Sequence, residues 1–349
     1  MKSDSQRSGN LFRVAIVGAA TLKGKELKEV LEERNFPAVD IRLLDDDESL
    51  GQLERVQDEV AFVQRVTADA LAQVDFTFFA SDASFTHTHW KIARDAGSAL
   101  IDLSYSLELD MNAPVRAPWI EKELGQQPQM TLESNVVAVA HPAAVVLALL
   151  GLRAQKAGKV HSMSATVMQP VSEEGRRGMD ELHEQTVNLL SFQQMPMAVF
   201  DSQVAFNMIG RYGQTSPHTL ESVERSIASH VRRLLEGHAP APSLMLLQAP
   251  VFHAHTFSIY IELEKNTSLG DFTQAIAGEH VNITRADEDA PSNVNVAGKD
   301  DILVTVRRDM SHENAFWVWA AVDNLRLSAI TAVECATALA VVRPHGKVQ

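Results

Sequence analysis

The chain has 349 residues, enough for two domains with substantial cores, and its 45% apolar and 22% charged content is ordinary for a soluble globular protein. A net charge of −14 argues against nucleic acid or an anionic membrane as a partner, since both are polyanions. The single cysteine, Cys335, excludes an intrachain disulfide and a cysteine-based metal cluster, and suits a reducing cytoplasm.

The polar start, MKSDSQRSGN, lacks the apolar core of a secretion signal. LFRVAIVGAA then reads as a strand ending in glycine, and LKGKELKEVLEERNF as a helix with Leu27, Val30 and Leu31 on one face. VDIRLLDDDE is a second strand ending in acids, and VDFTFFASD and SALIDLSY are strands flanking the helical HTHWKIARDAG. Strands alternating with helices up to about Asn135 predict a doubly wound parallel sheet. VAVAHPAAVVLALL runs from a strand into a helix, with Pro142 suited to a first helical position; as the longest apolar run it is still short for a bilayer.

Beyond it the pattern changes. KVHSMSATVMQPVS and HTFSIYIELE alternate apolar and polar residues, as half-exposed antiparallel strands do. The segments GMDELHEQTVNLLS and ESVERSIASHVRRLLEG are helical, DILVTVRRD and AFWVWAAVDN are strands, and LSAITAVECATALAVV is a last helix that buries Cys335 as core filling.

Three groups carry chemical meaning. Gly18 and Gly24, in VGAATLKGKEL, stand where a dinucleotide fold leaves backbone amides for a pyrophosphate; Thr21 replaces the middle glycine and obstructs close approach. Asp45, at the end of the second strand, is placed to accept from an adenosine ribose. The neighbouring Asp46, Asp47 and Glu48 favour NAD over NADP, whose 2′-phosphate they repel. His253 with His255, and His87 with His89, have zinc-like spacing, but no carboxylate or thiol completes a site, so no metal is expected; His255 facing a cleft suits acid/base work.

VAIVGAATLKGKEL, QPVSEEGRRGMDELHEQT, VAFNMIG, APVFHAHTFSIYIE and VDNLR occur in the order of, and together resemble, the aspartate-semialdehyde dehydrogenase family. The resemblance implies a Rossmann-type cofactor domain, an α+β domain that dimerises, and reaction through a thioester on a cysteine at a helix N-terminus. It places His255 as the proton-transfer histidine, Gln169 as an active-site glutamine, and Asp323, Asn324 and Arg326 near the nicotinamide end. It also places Gly18, Ala19, Ala20, Thr21, Leu22, Lys23, Gly24, Asp45 and Asn324 around the cofactor.

Where the family has its cysteine, this chain has Ala140, His141 and Pro142. Gln248 and Glu108 stand for substrate-binding arginines, Ser226 for a lysine, and Glu48 for an arginine serving the NADP phosphate. These departures, and the QAPVF and SQVAFNM segments, resemble the cysteine-less Usg-like branch of the family.

The expected fold is α/β: a doubly wound parallel-sheet domain over 1–136, completed by a C-terminal helix over 327–349, and an α+β dimerisation/substrate domain over 137–326. The expected protein is a cytoplasmic homodimer, non-catalytic or repurposed, that retains a dinucleotide or another small ligand, with His141 at the old nucleophile slot. Two alternatives are an active NAD(P)-dependent oxidoreductase on a small acyl or aldehyde substrate, with His255 as acid/base, and a dimerising partner of a metabolic enzyme.

Overall fold

The structure, a computed structural model, describes residues 11–56, 59–126, 135–285 and 287–342; the polar start and the last seven positions of the expected C-terminal helix lie outside them. The chain divides into two compact units, Met1–Pro118 with Gln127–Ala140 and Ser328–Gln349, and Trp119–Gln126 with His141–Leu327.

In the first unit the strands are β1 (Phe12–Val17), β2 (Ala38–Asp45), β3 (Leu53–Val56), β4 (Glu59–Phe62), β5 (Gln64–Arg65), β6 (Phe76–Phe79), β7 (Ala99–Asp102), β8 (Val115–Arg116) and β9 (Val136–Val139). Among the described residues, seven of them form one sheet in the order β5-β2-β1-β6-β7-β9-β8, every pairing parallel. The helices are α1 (Leu22–Glu33), α2 (Ala68–Leu71), α3 (Ala83–Asp95) and α4 (Ser106–Asp110), with α5 (Pro118–Glu123) at the boundary. Burial on both faces explains the near-continuous apolar runs of β1, β6 and β7. Phe12 and Phe76 meet edge to face at 5.0 Å, and each such buried ring contributes about 1.5–3 kcal/mol.

The second unit holds α6 (Pro142–Ala157), β10 (Val160–Gln169), a 3-10 turn (Val171–Glu174), α7 (Gly175–Leu190), α8 (Leu220–Leu235), β11 (Ser243–Gln248), β12 (His255–Leu263), α9 (Leu269–Ile276), β13 (Val281–Ile283), β14 (Ile302–Arg308) and β15 (Ala315–Val322). Helix α10 (Asn324–Val342) starts here and continues into the first unit. The sheet order is β11-β10-β12-β15-β14-β13; β12 pairs antiparallel with both β10 and β15, and parallel pairs stand at each edge. Strand β12 alternates buried and half-buried residues along its length, as one covered face requires.

Helix α6 packs against α8, α9 and β10 and is buried on every side from Pro142 to Ala154, which accounts for its all-round apolar sequence. Arg153 is the exception. Its guanidinium bonds Glu123 Oε2 at 3.2 Å and the Ile276 and Glu279 carbonyls at 3.1 and 2.7 Å, tying α5 to the end of α9. Burial raises the Glu123 pKa, but Lys156 and Arg153 outweigh it, and the carboxyl lies below its ordinary value.

Helix α10, at 19 residues, is longer than the VAVAHPAAVVLALL run, though it carries Asn324, Arg326 and Glu334. By length and composition it is able to cross a membrane, yet 67% of its most apolar window is buried inside the protein, so core packing accounts for the composition.

Two substitutions test this packing. A Cβ on Gly24 would collide with the Gly18 carbonyl, whereas one on Gly151, inside α6, meets Met163 Sδ at an ordinary 3.5 Å. Gly24→Ala is expected to destabilise the protein by about 1–3 kcal/mol. Gly151→Ala is expected to stabilise it by about 0.5–1 kcal/mol. Denaturant midpoints of the two variants check both signs.

Candidate functional site

In the first unit, the turn after β1 lies at the C-terminal ends of β1 and β6, where the sheet order reverses and doubly wound folds bind nucleotides. Gly18 takes φ +88°, and a Cβ there would press on the Ser81 backbone, so the turn itself requires glycine at 18 as packing requires it at 24. Thr21 caps α1: its hydroxyl accepts from the Gly24 amide at 2.9 Å and shares its proton between the Gly18 and Ala80 carbonyls at 2.8 and 3.0 Å. Thr21 is thus the clasp of the turn, a role that its obstruction of the approach did not disclose.

Most amides of the turn are already engaged. Gly18 and Ala19 donate to the Leu44 carbonyl, Thr21 to that of Gly18, and Ala20 to Asp45 Oδ2 at 2.7 Å. The first turn of α1 remains, with the Leu22 and Lys23 amides, which have no intrahelical acceptor; the Lys23 ammonium donates to the Leu103 carbonyl at 3.5 Å and stands 5.3 Å from the Tyr105 ring centre. Asp45, expected to accept from an adenosine ribose, is buried beside the turn. It is 5% exposed and accepts from Ala20 and Asp46, so any ribose would have to use its remaining lone pairs. Burial pushes its pKa up against those two amide bonds, and the Asp46 and Asp82 carboxylates add to the rise. Next to it, Asp47 pairs with Arg65 at 2.8 Å.

In the second unit, antiparallel pairing brings the end of β10, the start of β12 and the end of β15 to one edge of the sheet: Met168 faces Thr256, and His255 faces Val322. That edge gathers Gln169, His255, Asp323 and Asn324. Asn324 Oδ1 accepts from the Ala254 amide at 3.1 Å, and its Nδ2 donates to Glu173 Oε1 at 2.7 Å and Ser172 Oγ at 3.2 Å. Glu173 Oε1 lies 3.9 Å from His255 Nε2, and the His141 and His255 ring centres are 5.6 Å apart. His141 caps α6, its Nδ1 accepting from the Ala143 amide at 3.1 Å, while its own amide donates to His230 Nδ1 at 3.0 Å.

A second chain of contacts runs through Gln248. Its Oε1 accepts from the Tyr212 hydroxyl at 2.6 Å, and its Nε2 donates to the Gln169 and Ala249 carbonyls. Gln169 Nε2 reaches Tyr212 Oη at 3.4 Å, and its Oε1 has no hydrogen-bond partner among the described residues. Asp323 caps α10 by accepting from the Leu325 and Arg326 amides, and Arg326 is engaged by Asp300 at 2.7 Å.

His141, His255, Gln169 and Asn324 thus belong to one neighbourhood, and the cofactor-loop residues to the other unit. His255 is fully buried rather than facing a cleft. His253 precedes β12, with Ala254 at φ +73° between it and His255, so the two do not share a strand face; His87 and His89 lie two apart on α3 and do not share a helix face. Sequence reasoning missed Glu173, Tyr212 and His230. Only Glu173 had a local signal, an acidic pair just after a strand that ends in Gln169.

Burial, and then the Glu174 and Glu173 carboxylates, push the Tyr212 pKa up. The unfolded chain loses this proton near its ordinary value of 10.0 while the folded chain keeps it, so stability falls as pH rises above that value. Tyr212→Phe is expected to flatten this alkaline decline. At neutral pH it should cost about 1–3 kcal/mol, because Gln248 Oε1 loses its buried donor. Denaturation midpoints between pH 7 and about pH 11 check both effects.

Residues 13–127 match the family model for the semialdehyde dehydrogenase NAD binding domain, and residues 149–327 that for the semialdehyde dehydrogenase dimerisation domain. A USG-1 protein homolog of Pseudomonas aeruginosa is 30% identical over 91% of this chain and 94% of its own. An aspartate-semialdehyde dehydrogenase of Rickettsia conorii is 26% identical over 91% and 94%. Among solved structures, aspartate semialdehyde dehydrogenase II of Vibrio cholerae, complexed with ASA, superposes with a TM-score of 0.83 at 26% identity, covering 95% of this chain and 98% of its own. A probable aspartate-semialdehyde dehydrogenase of Pseudomonas aeruginosa gives 0.82 at 28% identity, covering 94% and 98%. With its NAD-binding and dimerisation domains both matched, this chain belongs to the semialdehyde dehydrogenase family.

Proposed function

We propose that this protein is a cytoplasmic homodimer that no longer runs the thioester chemistry which the family resemblance implies, and that it keeps a dinucleotide pocket with NAD favoured over NADP. One observation carries the reading. At the start of α6, Ala140, His141 and Pro142 are all buried and none is a cysteine, while the single cysteine, Cys335, is buried within α10. Losing a covalent nucleophile costs on the order of 10⁶ in kcat, judging from serine proteases.

The charges point the same way. Gln248, in an arginine's place, spends its amide on the protein, and each charge-assisted hydrogen bond lost from such an arginine costs roughly 1.5–3 kcal/mol. Glu108 would repel a phosphate. For the cofactor, Asp45 to Glu48 present negative charge, and Arg65, which could otherwise receive a 2′-phosphate, is held by Asp47.

The same geometry favours a second reading, an NAD(P)-dependent oxidoreductase on a small acyl or aldehyde substrate. In it His255 handles the proton, with the Glu173 carboxylate 3.9 Å from its Nε2, a span that one bridging water would close. For the homodimer, one face of the second sheet carries Met245, Tyr260, Trp317 and Trp319 in register, with Met245 58% and Trp319 38% exposed. Apolar and aromatic groups on an uncovered sheet face suit a partner subunit.

Purified protein given aspartate semialdehyde, phosphate and NAD or NADP is expected to show no turnover above background; stoichiometric turnover would sink the first reading. Turnover on another aldehyde that His255→Ala abolishes would establish the second. Calorimetric titration is expected to give NAD an affinity at least about tenfold above NADP, a difference of about 1.4 kcal/mol. Trp319→Glu is expected to yield monomers in light scattering, and a surviving dimer would move the interface elsewhere.

A further inference from the structure

We propose that His141, Glu173 and His255 form a binding site for one divalent transition-metal ion, with zinc the occupant best suited to the ligand types. The inference goes beyond the proposed loss of thioester chemistry, and neither depends on the other.

The three side chains come from separate elements: the cap of α6, the 3-10 turn after β10, and the first residue of β12. Each offers one ligand atom, and these atoms all lie within 4.8 Å of one another. His141 is 2% exposed and His255 0%, and the Glu173 side chain is 8% exposed. One carboxylate and two imidazoles from distant parts of the chain thus converge on a single enclosed spot. Two histidines and one carboxylate are a zinc donor set that leaves a fourth position open. The surroundings also fit: Asn324 Nδ2 holds the Glu173 carboxylate at 2.7 Å, and His230 holds the His141 backbone at 3.0 Å.

The absence of a metal expected from sequence rests on the histidine pairs lacking a carboxylate; the fold breaks those pairs and instead brings Glu173 and His141 to His255. One contact opposes coordination. The Ala143 amide donates to His141 Nδ1, which leaves the neutral ring with its proton on Nε2. Coordination through Nδ1 displaces that amide directly. Coordination through Nε2 moves the ring proton to Nδ1 and releases the amide as well. Metal binding therefore exchanges one helix-cap hydrogen bond for a coordination bond, and Ala143 reports the exchange.

The test uses tag-free, full-length protein stripped with a chelator, with Zn²⁺ and Co²⁺ as probes. Equilibrium dialysis is expected to retain one Zn²⁺ per chain, Co²⁺ to give visible d–d absorption, and the Ala143 amide resonance to shift on loading. Glu173→Gln and His255→Gln, each checked for native circular dichroism, are expected to weaken binding by about 100-fold or more, and His253→Gln to leave it unchanged. If a variant unfolds, X-ray absorption of the zinc-loaded wild type decides, with nitrogen and oxygen ligands at about 2.0–2.2 Å expected. Substoichiometric retention by the wild type, binding indifferent to Glu173→Gln in a folded variant, or a sulfur-dominated spectrum overturns the proposal.

Discussion

The antiparallel pairing of Thr256 with Met168 and of His255 with Val322 sets where the second unit's sheet ends, and the site depends on that edge. Side chains in a strand alternate between faces, so a slip of one residue in β12 would turn His255 away from Glu173 and His141. The register is held along the whole strand by the alternation of covered and half-covered residues from His255 to Leu263. Ala254, at φ +73°, and the Asn324 side chain that takes its amide fix the approach to the strand.

Around this edge the semialdehyde dehydrogenase fold carries buried acidic and amide groups. Burial, and then the Glu174 and Glu173 carboxylates, hold the proton on Tyr212, and Gln248 is a neutral hub of hydrogen bonds. Arg326 is engaged by Asp300 and Arg153 by Glu123, so both serve the fold. Buried polar groups have to be paired, and here the protein pairs many of its own. A site lined by carboxylate and imidazole suits a cation or a proton better than a phosphate.

The first unit shows a related economy. Thr21 and Asp45 close the glycine turn with hydrogen bonds to its own backbone, and the start of α1 keeps the open amides. The turn is thus held in place by the protein alone, and it offers a narrower set of donors than the glycine spacing suggests.

Sequence alone determined the longer regular elements and the family. Continuous apolar runs marked the parallel strands, alternation marked β10 and β12, and the glycine, QPVSEEG and VDNLR segments marked the family. The missing cysteine and the core position of Cys335 were also legible, because residue identity and local period need no knowledge of distant contacts. Only tertiary structure decided that Glu173 meets His255, that His230 holds His141, that Asp45 turns inward, and that Ser243–Gln248 pairs parallel at the edge of the second sheet. Those outcomes rest on register between strands far apart in the chain and on single backbone torsions, such as those at Gly18 and Ala254. No local pattern encodes them, since hydrophobic periodicity says which face is buried and not which side chains meet there.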